Sequence, residues 1–110
     1  MDKPWEMIQA DKQRRLRFDT NAFCLMEEIT GKPMTELNQR AGIRDIRAML
    51  FCGLYWDDDQ LTLEGAGEIL DVIMQKKGGL DEVTKKIGKA LEAATGSMSK
   101  KNKKKLKFLT

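Results

Sequence analysis

From Asp19 onward the apolar residues of this chain recur at helical spacing, and glycine, proline or an acidic turn repeatedly cuts the pattern. Alternation of this kind permits short amphipathic helices that bury one face against each other, and permits little else. Asp19 or Thr20 can cap a first helix, because their side-chain oxygens accept the orphan amide protons of a first turn. Its stripe is Ala22, Leu25, Met26 and Ile29, with Glu27 and Glu28 on the other face. Gly31 stops it and Pro33 prevents it from resuming. A short second helix is expected from Pro33 to about Arg40, ended by Gly42. A third carries Ile43, Ile46, Leu50 and Leu54 on one stripe, widened by Met49 and Phe51, with Arg44, Asp45 and Arg47 outside. After Trp56-Asp57-Asp58-Asp59, Thr62 caps a fourth helix and places Glu64 in the first turn, where the helix dipole favours negative charge. Its stripe is Ala66, Ile69, Leu70, Ile73 and Met74, with Lys76 and Lys77 suited to its C-terminal end. Gly78-Gly79 forms a hinge, and a fifth helix over 80–95 turns Leu80, Val83, Ile87, Ala90, Leu91 and Ala94 inward.

The segment before Asp19 has no helical period. Met7-Ile8 and Leu16-x-Phe18 are short apolar pieces around a polar stretch, which suits either a small β-hairpin or one extended arm. Arg14, Arg15 and Arg17 are expected to be solvated strand charges. At the other end, six of the 20 basic side chains fall within Lys100–Lys107, so the first 99 residues carry 14 basic groups against 17 acidic ones. The body is mildly acidic and only the tail is basic, whereas a nucleic-acid binder usually carries its basic surface on the folded domain. The expected architecture is mainly α: about five short helices in a compact bundle (19–95), preceded by a hairpin or arm (1–18) and followed by a disordered lysine-rich tail (96–110). At 110 residues with 41% apolar content, the core needs no disulfide or metal. Cys24 and Cys52 lie in apolar stretches and are expected to be reduced and buried. No run reaches the roughly 18 apolar residues of a membrane span, and no signal peptide is expected.

Chemistry is harder to find. The chain has no histidine, which removes the commonest general base and metal ligand. No Cys-x-x-Cys spacing suggests zinc. Gly65-Ala66-Gly67 lacks the Lys-Ser or Lys-Thr of a phosphate loop. Asp57-Asp58-Asp59 suggests a calcium loop until the spacing is counted: with Asp57 first, Leu61 takes the fifth position and no glycine takes the sixth. These acids are expected to be exposed. No catalytic residue, cofactor or metal is therefore expected. Tyr55 and Trp56 stand out, at the end of an apolar helix and before three acids. They either close the end of the core or, with Phe51 and Leu54, border a surface that anchors a partner, since exposed aromatics are enriched in binding hot spots.

Two stretches resemble a known family. Leu16-Arg17-Phe18-Asp19-Thr20-Asn21-Ala22-Phe23, continuing through Glu27-Glu28-Ile29-Thr30-Gly31, is similar to the front half of the tail assembly chaperones of long-tailed bacteriophages. Ile46-Arg47-Ala48-Met49-Leu50-Phe51-Cys52-Gly53-Leu54, the acidic turn and Leu61-Thr62-Leu63-Glu64 are similar to the second half. Related proteins occur in gene transfer agents. The likeness covers residues 16–71 and rests mostly on structural positions; Tyr55-Trp56 and the lysine tail are outside it. It implies a non-enzymatic assembly factor in the bacterial host cytoplasm, absent from the finished virion. Such a factor binds the tape measure protein and helps recruit the tail tube protein. Self-association is open, and neither membrane nor nucleic acid is an expected partner. Two readings from other classes stand beside it: a small helical nucleic-acid-binding regulator, and a structural head–tail connector subunit.

Overall fold

The computed structural model describes residues 5–95. Its elements are β1 (Glu6–Gln9), β2 (Gln13–Leu16), α1 (Thr20–Thr30), α2 (Met34–Gln39), α3 (Ile43–Leu54), α4 (Leu63–Met74) and α5 (Gly79–Thr95). The lysine-rich tail expected over 96–110 lies outside the described residues.

The N-terminal segment is a hairpin. β1 and β2 pair antiparallel, with Ile8 opposite Arg14 and Glu6 opposite Leu16. Because side chains alternate across a strand, this register turns Ile8 and Leu16 to one face and Met7 and Arg15 to the other. Ile8 and Leu16 are buried, and they join Phe18 in the same apolar cluster as the helices. The hairpin is therefore one wall of a single core. Its second edge is closed unusually: the Arg17 amide donates to the Gly53 carbonyl (2.9 Å), and the Trp56 indole Nε1 donates to the Arg15 carbonyl (3.1 Å). The end of α3 thus stands where a third strand would pair. β1 is held by α5, through packing and through Lys86 against Glu6.

α3 is the central element and packs against α1, α4, α5 and β2. The helices begin where local chemistry places them. The Asp19 carboxylate accepts from the Ala22 amide (2.8 Å) and the Thr62 hydroxyl from the Gly65 amide (2.9 Å). Gly31 closes α1 in the left-handed region (φ 71°), where its lack of a Cβ avoids strain. The buried stripes follow the expected pattern at Ala22 and Met26, at Ile46, Met49 and Leu50, at Ala66, Ile69, Leu70 and Ile73, and at Val83, Ile87, Ala90 and Leu91.

Several expectations are corrected. Ile43, Met74 and Leu80 are exposed; each sits at or beside a helix end, where no further turn or neighbouring helix covers the stripe. Cys24 is exposed, because it lies two residues from both Ala22 and Met26 and so points away from their face. Asp45, expected outside, is 5% exposed. Its Oδ2 accepts from the Gly42 amide (2.9 Å) and from Lys32 Nζ (2.8 Å), which ties the start of α3 to the α1–α2 connection. Burial pushes the Asp45 carboxyl up, but the Lys32 ammonium and the Gly42 amide outweigh it, and the pKa lies below its ordinary 3.8. Lys76, past the end of α4, donates to the Gln9 carbonyl (2.9 Å).

Candidate functional site

The sequence singled out the end of α3, and the structure brings three elements together there: the last turn of α3, the exit of β2 and the start of α1. Phe51 is half-buried against the core, with its ring 5.4 Å from that of Tyr55. Tyr55 is 42% exposed and Trp56 is half-buried. Leu54 is corrected: at 1% exposed it is a core residue and lines no surface. Of the four expected anchors, only Tyr55 and Trp56 offer substantial area to a partner, and Phe51 supports them from beneath.

Around Trp56 runs a stack that the sequence did not disclose. The Arg17 guanidinium lies 4.0 Å from the Trp56 ring centroid and Arg15 lies 5.1 Å from it. Arg15 is also 5.6 Å from the exposed ring of Trp5. Cations are attracted to the negative face of such rings, so the four side chains hold one another in place. One signal was available. Arg15 and Arg17 alternate along an extended segment and must share a face, although nothing local says that this face meets Trp56, 41 residues away.

The arginines differ in how fully they are satisfied. Arg14, expected to be solvated, is buried. It clasps Asp11 with a fork (2.7 and 2.8 Å) and reaches Asp58 with its third nitrogen (3.1 Å). Arg14 thereby joins the hairpin turn to the acidic turn after α3, and its hydrogen bonds hold Asp11 and Asp58 below the usual carboxylate range. Arg15 takes both oxygens of Asp57. The acidic turn is thus a set of counter-charges for the hairpin. Among the described residues Arg17 pairs with Asp19 alone, at 3.8 Å, and its enclosed Nε has no hydrogen-bond partner.

Between these groups opens a pocket of about 210 Å³. Ala22, Leu25 and Cys52 form its apolar part, Tyr55 and Trp56 its aromatic walls, and Arg17, Asp19 and Asn21 its polar rim. Burial pushes the Cys52 thiol up to about 12, so it is protonated at neutral pH and serves as apolar lining. The corner offers aromatic faces, a cation and a small depression, a combination suited to holding a side chain of another molecule. Among the described residues, no three of His, Cys, Asp or Glu are grouped to hold a metal ion, and no helix is long and apolar enough to cross a membrane. No family model, curated protein or solved structure matches the chain.

Proposed function

We propose that this chain is a non-enzymatic tail assembly chaperone of a long-tailed bacteriophage, which binds the tape measure protein through the corner of Phe51, Tyr55 and Trp56. The observation that carries the reading is the corner itself: an exposed Tyr55 beside a Trp56 stacked with two guanidinium groups, just past the end of α3. Trp, Tyr and Arg are the residue types that dominate binding hot spots, and fixing them beforehand lowers the entropy lost on association. The residues that carry the family resemblance support it. They supply the end of β2, all of α1 and most of α3, whose junction forms the corner.

In this reading the protein works in the host cytoplasm and covers apolar faces of the long tape measure helix, which would otherwise aggregate. It yields to tail tube subunits as they assemble and is absent from the finished virion. Saturation of Arg14 and Arg15 by carboxylates favours a protein partner over a nucleic acid, whose phosphates need uncommitted cations.

The test is capture of the cognate tape measure protein by immobilised chain. Tyr55→Ala and Trp56→Ala should each reduce capture at least about tenfold, the loss of a typical hot-spot side chain, while the far-ultraviolet circular dichroism stays unchanged. Undiminished capture by both folded variants would remove the corner from the interface. Failure of the unmodified chain to bind tape measure protein at all would remove the reading.

A further inference from the structure

We infer that the pocket beside Trp56 is a recognition site for a partner segment presenting an apolar side chain next to a carboxylate. The inference rests on the partner-binding reading above only for the identity of the protein that carries the segment. Two features of the pocket define its ligand. Its body is uncharged: Ala22, Leu25 and the protonated Cys52 face it, with Tyr55 and Trp56 as walls. A volume of about 210 Å³ suits one large apolar side chain. Its rim carries, beside the Asp19 carboxylate, one cation that the described residues leave under-compensated.

That cation is Arg17. Arg14 makes three charge-assisted hydrogen bonds and Arg15 two. Among the described residues Arg17 faces a single carboxylate, at 3.8 Å, beyond hydrogen-bonding reach. That carboxylate, Asp19, already accepts the Ala22 amide at the start of α1. The Arg17 Nε is closed off from solvent and bonds to nothing. A buried donor without a partner is costly, and a guanidinium is the group best shaped to take a carboxylate through two parallel bonds. Its Cζ lies over the Trp56 ring, 4.0 Å from the centroid, a contact that already restricts the side chain before an anion arrives. A carboxylate at the rim meets this charge, and the Nε–H lies close enough within the same guanidinium to report it. The apolar group attached to it then fills the space between Tyr55, Trp56 and the pocket floor. Asp19 on the same rim repels an incoming carboxylate, so a preference for an acid over its amide reads directly whether Arg17 outweighs it.

The probe is 3-phenylpropionate, an aromatic ring on a short chain ending in a carboxylate, titrated into the full chain labelled with 15N. Its uncharged amide is the control. The readouts are the Arg17 Nε–H and Trp56 Nε1–H resonances, which report the rim and the wall. The acid should move both, with a Kd of a few millimolar, as expected for a ligand of about eleven heavy atoms. The amide should bind at least about threefold more weakly, because it cannot form the charge-assisted pair. Arg17→Gln should keep the backbone amide spectrum and erase the preference, and Arg17→Lys should restore part of it. Three results overturn the inference: neither resonance moves, acid and amide bind alike, or the preference survives in Arg17→Gln. A chain that prefers the acid but ignores tape measure protein keeps the pocket and loses the assembly reading. A chain that captures tape measure protein but shows no preference keeps the reading and loses the pocket.

Discussion

Gly53 shows how much a single residue can depend on contacts made far away in sequence. A Cβ at this position would lie 2.3 Å from Leu16 Cδ1 and 2.9 Å from Phe18 Cζ, because β2 packs on α3 and the Arg17 amide, just past β2, donates to the Gly53 carbonyl. Gly88, in the exposed middle of α5, meets nothing within 4 Å. The same substitution should therefore have opposite signs at the two sites. Gly53→Ala is expected to destabilise by about 1–3 kcal/mol through overpacking, and Gly88→Ala to stabilise by about 0.5–1 kcal/mol through helix propensity. Denaturant melts of the two variants decide the matter; stabilisation at both positions would mean that β2 does not lie against α3. Asp11, Asp45 and Asp58 give a second prediction at this scale. Each has a folded pKa below its ordinary 3.8, so the unfolded chain takes up protons first as the solution is acidified. Their stabilisation is complete above an unfolded pKa near 4 and drains away as pH falls through the lower folded values. Melting temperature should hold from pH 7 to about pH 5 and fall below about pH 4. Asp45→Asn should be less stable at neutral pH and show a shallower decline; an unchanged slope would mean that the tie to Lys32 and Gly42 contributes nothing.

At the scale of elements, the hairpin is the part whose role changed most. Sequence alone allowed an arm set apart from a helical domain. In the structure Ile8, Ala10, Leu16 and Phe18 belong to the common cluster, α5 packs on both strands, and the end of α3 closes the edge of β2. Deleting residues 1–12 removes β1, leaves β2 unpaired and uncovers the side of α5 that packs on β1. The truncated chain should lose its cooperative thermal transition and its near-ultraviolet signal while keeping part of its helical signal, the behaviour of a core without specific packing. A cooperative transition within a few degrees of that of the full chain would show that the helices fold without the hairpin. Helix content was far more legible than this. The caps at Asp19 and Thr62 and the stop at Gly31 are interactions between residues within three or four positions of one another, so any reader of the sequence can find them.

For the molecule as a whole, the core cluster and the apolar residues packed on it run from Ile8 to Ala94. The radius of gyration, 13.1 Å, is that of a globule of about 100 residues. A chain ending at Gly96 should therefore melt within about 2 °C of the full chain, as changes away from buried features typically do. A drop of several degrees, seen by calorimetry, would mean that Leu106, Phe108 or Leu109 is part of the core. By itself the sequence determined the class of fold, the number of helices and their approximate ends, most of the buried face of α1, α3, α4 and α5, and the place of two aromatics at the end of α3. Those follow from spacing and capping, which act over a turn or two of chain. Only the tertiary structure decided that Arg14 is buried between Asp11 and Asp58, and that Arg15 and Arg17 stack on Trp56 with Trp5 beside Arg15. These depend on how the hairpin docks against α3, and docking is set by shape and charge matched across roughly forty residues, which no local pattern records.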